Sequence, residues 1–211
     1  VIASAAKQSQ KGTYSLELKT HPGITIDSNW VDAESPFLAA EEFCLDVWLK
    51  ADSADKPYGR IIINPTKIDD WNNANLELSF RPGVPGTPVF TARYWNNDGS
   101  GSNVLQDTLS AQTSHVGKWR HIIIERNKTN GNFGMVIRDE NDALLFKKVI
   151  NQMKSPLMAG APLRIGRSHF DVNDNWFIPP FRGKIDNVKM YNYPANGLTS
   201  VSDDIAQRIP W

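Results

Sequence analysis

The segment Pro180-Phe181-Arg182-Gly183-Lys184-Ile185-Asp186-Asn187-Val188-Lys189-Met190-Tyr191-Asn192-Tyr193-Pro194 reads as one long strand whose rhythm breaks once. Phe181, Gly183 and Ile185 share one face at period two, but the next apolar pair, Val188 and Met190, falls on the opposite phase. Side chains alternate strictly along a strand, so the same face stays apolar only if one extra residue is inserted. The sequence therefore predicts a β-bulge at Asp186-Asn187. It also predicts a carboxylate at the point where the backbone leaves the regular ladder.

Strand signals recur along the rest of the chain, and helical periodicity is nearly absent. Tyr14-Ser15-Leu16-Glu17-Leu18-Lys19 alternates, and His21-Pro22-Gly23 turns the chain into Ile24-Thr25-Ile26. In the run from Phe43 to Lys50, the odd positions Phe43, Leu45, Val47 and Leu49 form an unbroken apolar face. Further strands are expected at Arg60-Ile63, Leu76-Phe80, Val89-Trp95, Leu144-Phe146 and Leu163-Gly166. Trp119-Arg126 is apolar on both faces, as a central strand of a layered structure would be. Asn130-Gly131 and Asn141-Asp142 are hairpin-type turns bracketing Phe133-Ile137. Together these make roughly eleven or twelve short strands at sandwich spacing. One short helix is expected at 202–208, where Ser202 offers a hydroxyl cap and Asp203 and Asp204 fill the first turn. No linker or repeat divides the 211 residues, so a single domain is expected.

Composition narrows the function classes. The chain carries 23 Lys+Arg against 23 Asp+Glu with no basic block, which argues against a nucleic-acid partner or an anionic membrane surface. No apolar run approaches the roughly 20 residues that span a bilayer, so membrane insertion is not expected. The lone cysteine, Cys44, excludes an intramolecular disulfide and lies in an apolar strand, where cysteine acts as a small buried hydrophobe. The chain opens at Val1 without a methionine, as expected of a piece excised from a larger protein.

The order of motifs resembles the laminin-G-like branch of the concanavalin A-like lectin/glucanase superfamily. The resemblance is carried by Gly117-Lys118-Trp119-Arg120-His121 opening a strand, then Pro162-Leu163-Arg164-Ile165-Gly166, then Phe181-x-Gly183-x-Ile185-Asp186-x-Val188-x-Met190-Tyr191. Tyr14-Leu18 and the Phe43–Lys50 strand with Trp48 fit the same pattern, so it covers nearly the whole chain. What it implies is an all-β, two-sheet antiparallel jelly roll. It also implies a secreted or cell-surface protein, bacterial in character, with other domains of a parent protein as neighbours. Such domains bind carbohydrate or protein and commonly hold a structural calcium. By the resemblance Asp186 is the candidate calcium ligand, together with backbone carbonyls, and a bulge frees carbonyls of the kind a hard cation takes. The alternative is that Asp186 only accepts amide hydrogen bonds at the bulge.

Seven tryptophans supply the ligand-binding expectation. Pyranose C–H faces pack on flat aromatic rings, while amides and carboxylates bond the hydroxyls. Trp71 sits in Asp69-Asp70-Trp71-Asn72-Asn73, Trp95 heads Asn96-Asn97-Asp98-Gly99, and Trp176 follows Asn173-Asp174-Asn175. The expected recognition surface is thus Trp71, Trp95, Asn96, Asn97, Asp98, Asn175 and Trp176, with His169 beside the last loop. Trp30 has a similar context and could equally be a lid over the core. Trp48, Trp119 and His121 lie within strand patterns and read as structural.

The leading expectation is a non-catalytic, lectin-like module. The paired-carboxylate pattern Glu-x-Asp-x-x-Glu of the glucanases fails here, because Glu140-Asn141-Asp142 is followed by Leu145 in the third acidic place. A hydrolase or lyase of the same fold, with His169 as its best base, is one alternative. A protein-adhesion module is the other.

Overall fold

The computed structural model describes residues 15–18, 31–33, 43–52, 59–65, 74–82, 88–95, 102–107, 115–127, 131–150, 163–166 and 181–191. These form twelve strands: β1 (Ser15–Leu18), β2 (Val31–Ala33), β3 (Phe43–Ala51), β4 (Gly59–Pro65), β5 (Ala74–Pro82), β6 (Pro88–Trp95), β7 (Ser102–Gln106), β8 (Trp119–Asn127), β9 (Asn132–Arg138), β10 (Leu144–Ile150), β11 (Leu163–Ile165) and β12 (Gly183–Tyr191). They pair into two six-stranded antiparallel sheets, in the order β1-β12-β3-β8-β9-β10 and β2-β11-β4-β5-β6-β7. The result is the all-β sandwich that the sequence predicts, consistent with a jelly roll. The expected helix at 202–208 and the Ile24–Ile26 strand lie outside the described residues. The short strands β2 and β7 were not expected from the sequence. Three to five residues are too few to show a period, and pairing with a neighbour defines them.

The core lies between the sheets and follows the period-two reading. Phe43, Leu45, Val47, Leu49 and Ala51 of β3 meet Ile122 and Ile124 of β8 and Met135 and Ile137 of β9 on one wall. Ile61 and Ile62, Leu76, Leu78, Phe80, Phe90, Ala92 and Leu105 form the other. Strand β8 occupies an inner place in its sheet and is buried on both faces, as its sequence predicts.

The bulge is where the phase switch puts it. Asp186 pairs with Trp48 and Lys189 pairs with Asp46, so three steps along β12 answer two along β3. Asn187 takes up the extra residue with φ 50°, a left-handed conformation that asparagine tolerates better than most residues. Ile185 on one side of the bulge and Val188 on the other both pack on the core.

A buried polar chain ties the sheets together at one end. The Asp107 carboxylate accepts from the Phe90 amide at 2.5 Å and meets His115 Nε2 at 3.1 Å. Arg120 Nε donates to His115 Nδ1 at 3.1 Å. That bond makes Nδ1 the acceptor, so Nε2 carries the hydrogen given to Asp107. Phe90 belongs to the second sheet and Arg120 to the first, and the His115 ring lies against Phe90 at 4.6 Å. The Arg120 guanidinium is lowered from its ordinary value by burial, while Asp139, Glu140 and Asp107 act to raise it.

Candidate functional site

Register brings one residue from each strand of the first sheet into a single row. Ser15 lies opposite Asp186, Asp186 opposite Trp48, Trp48 opposite His121, His121 opposite Arg138, and Arg138 opposite Leu144. Directly opposed residues share a face of the sheet. Here it is the outer face, because the alternate positions Val47, Leu49, Ile122, Ile137 and Ile185 point into the core.

The middle of the row is tightly ordered. The Trp48 and His121 rings stack with centroids 4.6 Å apart and planes 4° from parallel. His121 Nε2 bonds Asp46 Oδ1 at 2.8 Å, from the next outward position of β3. The other ring nitrogen, Nδ1, makes no hydrogen bond and lies 3.9 Å from Asp142 Oδ1. Arg138 Nη1 donates to the Asp142 carbonyl at 2.9 Å and stands 3.4 Å from its carboxylate. Asp142 itself holds a φ of 67° in the β9–β10 turn. Asp139 shapes that turn by accepting the amides of Asn141 and Ala143 at 2.8 and 2.9 Å.

Exposure rises along the row. Asp186 is 2% exposed, Trp48, His121 and Arg138 are partly buried, Leu144 is 54% exposed, and the Asp142 side chain in the adjoining turn is 63% exposed. An exposed ion pair such as Arg138–Asp142 adds at most about 1 kcal/mol to stability, so its orientation matters more than its strength. Strand β9 and its turn hold the Arg138 guanidinium and the Asp142 carboxylate in fixed positions at an open rim, with the His121 imidazole behind them. Such a set can donate and accept hydrogen bonds to a polyhydroxyl ligand without first paying to order itself.

A family profile of the concanavalin A-like lectin/glucanases superfamily, in its laminin G branch, matches residues 25–197. The chain belongs to that superfamily. Solved laminin G-like and related structures agree at low identity. The mouse laminin alpha1 chain domains LG4-5 share 14% identity at a TM-score of 0.52, over 76% of this chain and 37% of that one. A K499G mutant of the NanB sialidase from Streptococcus pneumoniae shares 13% at 0.59, over 93% and 27%. The Ruminococcus gnavus IT-sialidase CBM40 bound to alpha2,3 sialyllactose shares 13% at 0.54, over 74% and 78%. The laminin G-like chain thus spans well under half of the laminin and sialidase chains it resembles. No curated protein matches its sequence closely enough to stand as a relative.

Within this laminin G-like domain the expected site residues fall in different places. Trp71, Asn96, Asn97, Asp98, His169, Asn175 and Trp176 lie outside the described residues. Trp95 closes β6 opposite Ser102 of β7, in the second sheet, whereas Asp186 is in the first. The expected ligand tryptophan and the expected calcium ligand therefore sit on different sheets. Asp186 is one buried carboxylate beside a left-handed bulge. Among the described residues no three His, Cys, Asp or Glu side chains gather into a ligand set.

Trp48 and His121 were read as structural members of core strands. The strands are as expected, but both side chains point to the outer face. The signal for Trp48 was present, since the odd positions of β3 already fill the core and an even position must face out. His121 was hidden because β8 is apolar on both faces. Glu140 and Asp142 lie in the β9–β10 turn, in line with the failed glucanase pattern. Cys44 is buried, as its strand setting predicts.

Proposed function

We propose that this laminin G-like domain is an extracellular, non-catalytic glycan-binding module. The observation that supports it best is the end of the outer-face row, where Arg138 and the exposed Asp142 carboxylate of the adjoining turn are pre-positioned hydrogen-bonding groups, backed by the His121 ring. Trp48 is stacked on one face by His121, so it serves as a wall of the site rather than an open platform. Trp71, Trp95 and Trp176 would supply aromatic platforms in this reading, with Asn96, Asn97, Asp98, Asn175 and His169 as candidate hydrogen-bonding partners of the sugar. The sialidase-associated binding module among the similar structures lends support in kind, since its solved complex holds a sialylated sugar.

On a glycan array, the wild-type domain is expected to bind a limited set of saccharides. Arg138→Ala and a Trp71→Ala/Trp176→Ala double variant are each expected to weaken that binding at least tenfold, about what one charge-assisted hydrogen bond or one stacked ring contributes. No binding to any glycan overturns the reading. So does release of reducing ends or unsaturated products from a polysaccharide panel, which would make the domain an enzyme.

Calcium belongs to the same proposal as a scaffold ion. Asp186 would supply a carboxylate and nearby backbone carbonyls the remaining oxygens, holding the bulge without touching the sugar. Millimolar calcium in place of chelator is expected to raise the unfolding midpoint by about 5–10 °C at a roughly hundredfold excess over Kd. Asp186→Asn is expected to lose that rise. An unchanged wild-type midpoint would leave Asp186 as a bulge anchor only.

A further inference from the structure

Strand β10 ends the first sheet. It pairs with β9 on one side, and no described strand pairs with it on the other. In an antiparallel edge strand alternate residues aim N–H and C=O away from the sheet, a template for one more strand. The register shift between Leu144 and Phe146 breaks the ladder early, so the regular part of the edge is Phe146-Lys147-Lys148-Val149-Ile150. Phe146 and Ile150 pack on the core, which holds this stretch in place.

Register sets Phe146, Lys148 and Ile150 opposite Ile137, Met135 and Phe133, which are core residues of β9. Lys147 and Val149 stand opposite Val136 and Gly134, on the outer face. Both lysines are exposed, while Phe146, Val149 and Ile150 are half-buried. Neither lysine has an ion-pair partner among the described residues. The edge thus carries one cation on each face, with apolar side chains on both sides of the pair. Lysines on an edge strand guard it against self-pairing. Here a second copy laid antiparallel at full overlap would set Lys147 directly against Lys147, which is destabilising. The same two charges favour a strand of opposite sign, so what excludes a copy selects a different partner. A guard alone has no need of the half-buried apolar side chains beside it, and an added strand would cover them.

We infer that the free edge of β10 is a docking site for an extended segment of a partner protein, one that carries two adjacent acidic residues between apolar ones. Main-chain hydrogen bonds hold such a strand, and its alternate side chains give the specificity. Adjacent residues of the added strand point to opposite faces, so one acid meets Lys147 and the next meets Lys148. The order apolar–acid–acid–apolar reads the same in either direction, so parallel and antiparallel docking both satisfy it. The inference uses none of Arg138, Asp142 and His121, and it stands apart from the glycan-binding reading.

Fluorescence anisotropy of the intact 211-residue chain tests it with short labelled peptides whose centres are Val-Glu-Glu-Val, Val-Gln-Gln-Val and Val-Lys-Lys-Val. The Glu-Glu peptide is expected to bind about tenfold more tightly than the Gln-Gln peptide, as two opposite-charge cross-strand pairs would give, and the Lys-Lys peptide not at all. A Lys147→Glu/Lys148→Glu variant is expected to reverse that preference, with thermal unfolding to check that it is folded. Two further Glu-Glu peptides, N-methylated on alternate sets of amides, separate strand pairing from general charge attraction. At least one of them is expected to lose binding. No binding of the Glu-Glu peptide, equal binding of the Glu-Glu and Gln-Gln peptides, or a preference that survives the charge reversal overturns the site. So does unweakened binding of both N-methylated peptides. A chain that sediments as a dimer and binds no peptide overturns it in favour of a second copy on this edge. The glycan array is a separate measurement, so either reading can fail while the other stands.

Discussion

Gly183→Ala is expected to lower the unfolding midpoint by about 6–12 °C, corresponding to roughly 3 kcal/mol for a domain of this size. A Cβ at this position would lie 2.1 Å from the Lys50 carbonyl oxygen and 2.8 and 2.9 Å from Cζ and Cε1 of Phe181. The phenyl ring could swing aside, but the carbonyl cannot. Lys50 lies in β3, held by β12 on one side and by β8, through Trp119, on the other. The backbone adds a second penalty, because Gly183 has φ 156°, a conformation that residues with a side chain rarely adopt. Thermal unfolding followed by circular dichroism measures the effect, with Ile185→Val on the same strand as a control expected to cost about 1 kcal/mol. Because the main clash is with backbone, Phe181→Ala in the same chain should not rescue the variant. A Gly183→Ala midpoint within about 2 °C of wild type would show that β12 shifts easily and that the Lys50 carbonyl does not exclude a Cβ there.

The same strand shows what a sequence can and cannot disclose. Gly183 and the switch from Ile185 to Val188 were legible because both are consequences of period two, which is a local property. The bulge follows from counting apolar residues, and the left-handed Asn187 is the conformation the extra residue needs. The outer-face row was not legible as a row. Its members come from β3, β8, β9 and β12, and only register decides that Trp48 meets His121 and that Asp186 stands beside them. Register in turn depends on the bulge and on pairing between segments well over a hundred residues apart, such as β12 with β3, and no local pattern encodes that. Glu77 illustrates a different limit. Leu76-Glu77-Leu78 predicts correctly that the carboxylate points away from the core, but alternation alone would leave it in water. Burying it requires Arg60 and Arg81, and Arg60 arrives through an irregularity in β4, between Arg60 and Ile62, that its run of isoleucines conceals.

That buried group sets the other large effect. Glu77→Gln is expected to destabilise the fold by about 3–5 kcal/mol at neutral pH, because it keeps the shape of the side chain but removes the negative charge from among buried and half-buried guanidiniums. Arg60 is as buried as the core around it, and removing one charge of a buried ion pair costs far more than the pair itself contributes. The pH dependence separates this cause from mere loss of packing. Burial pushes the Glu77 carboxyl upward, but Arg60, Arg81 and Arg93 together hold it below its ordinary value of 4.5. A folded value below the unfolded one means that the unfolded chain binds the proton first. The stabilisation is therefore fully present above about pH 4.5 and is lost as pH falls through the folded value. Urea unfolding from pH 7 down into the acid range should show the gap between wild type and Glu77→Gln narrowing only below about pH 4.5. Curves that stay parallel throughout would mean that the carboxylate charge contributes nothing, and that the arginines are balanced by something other than Glu77.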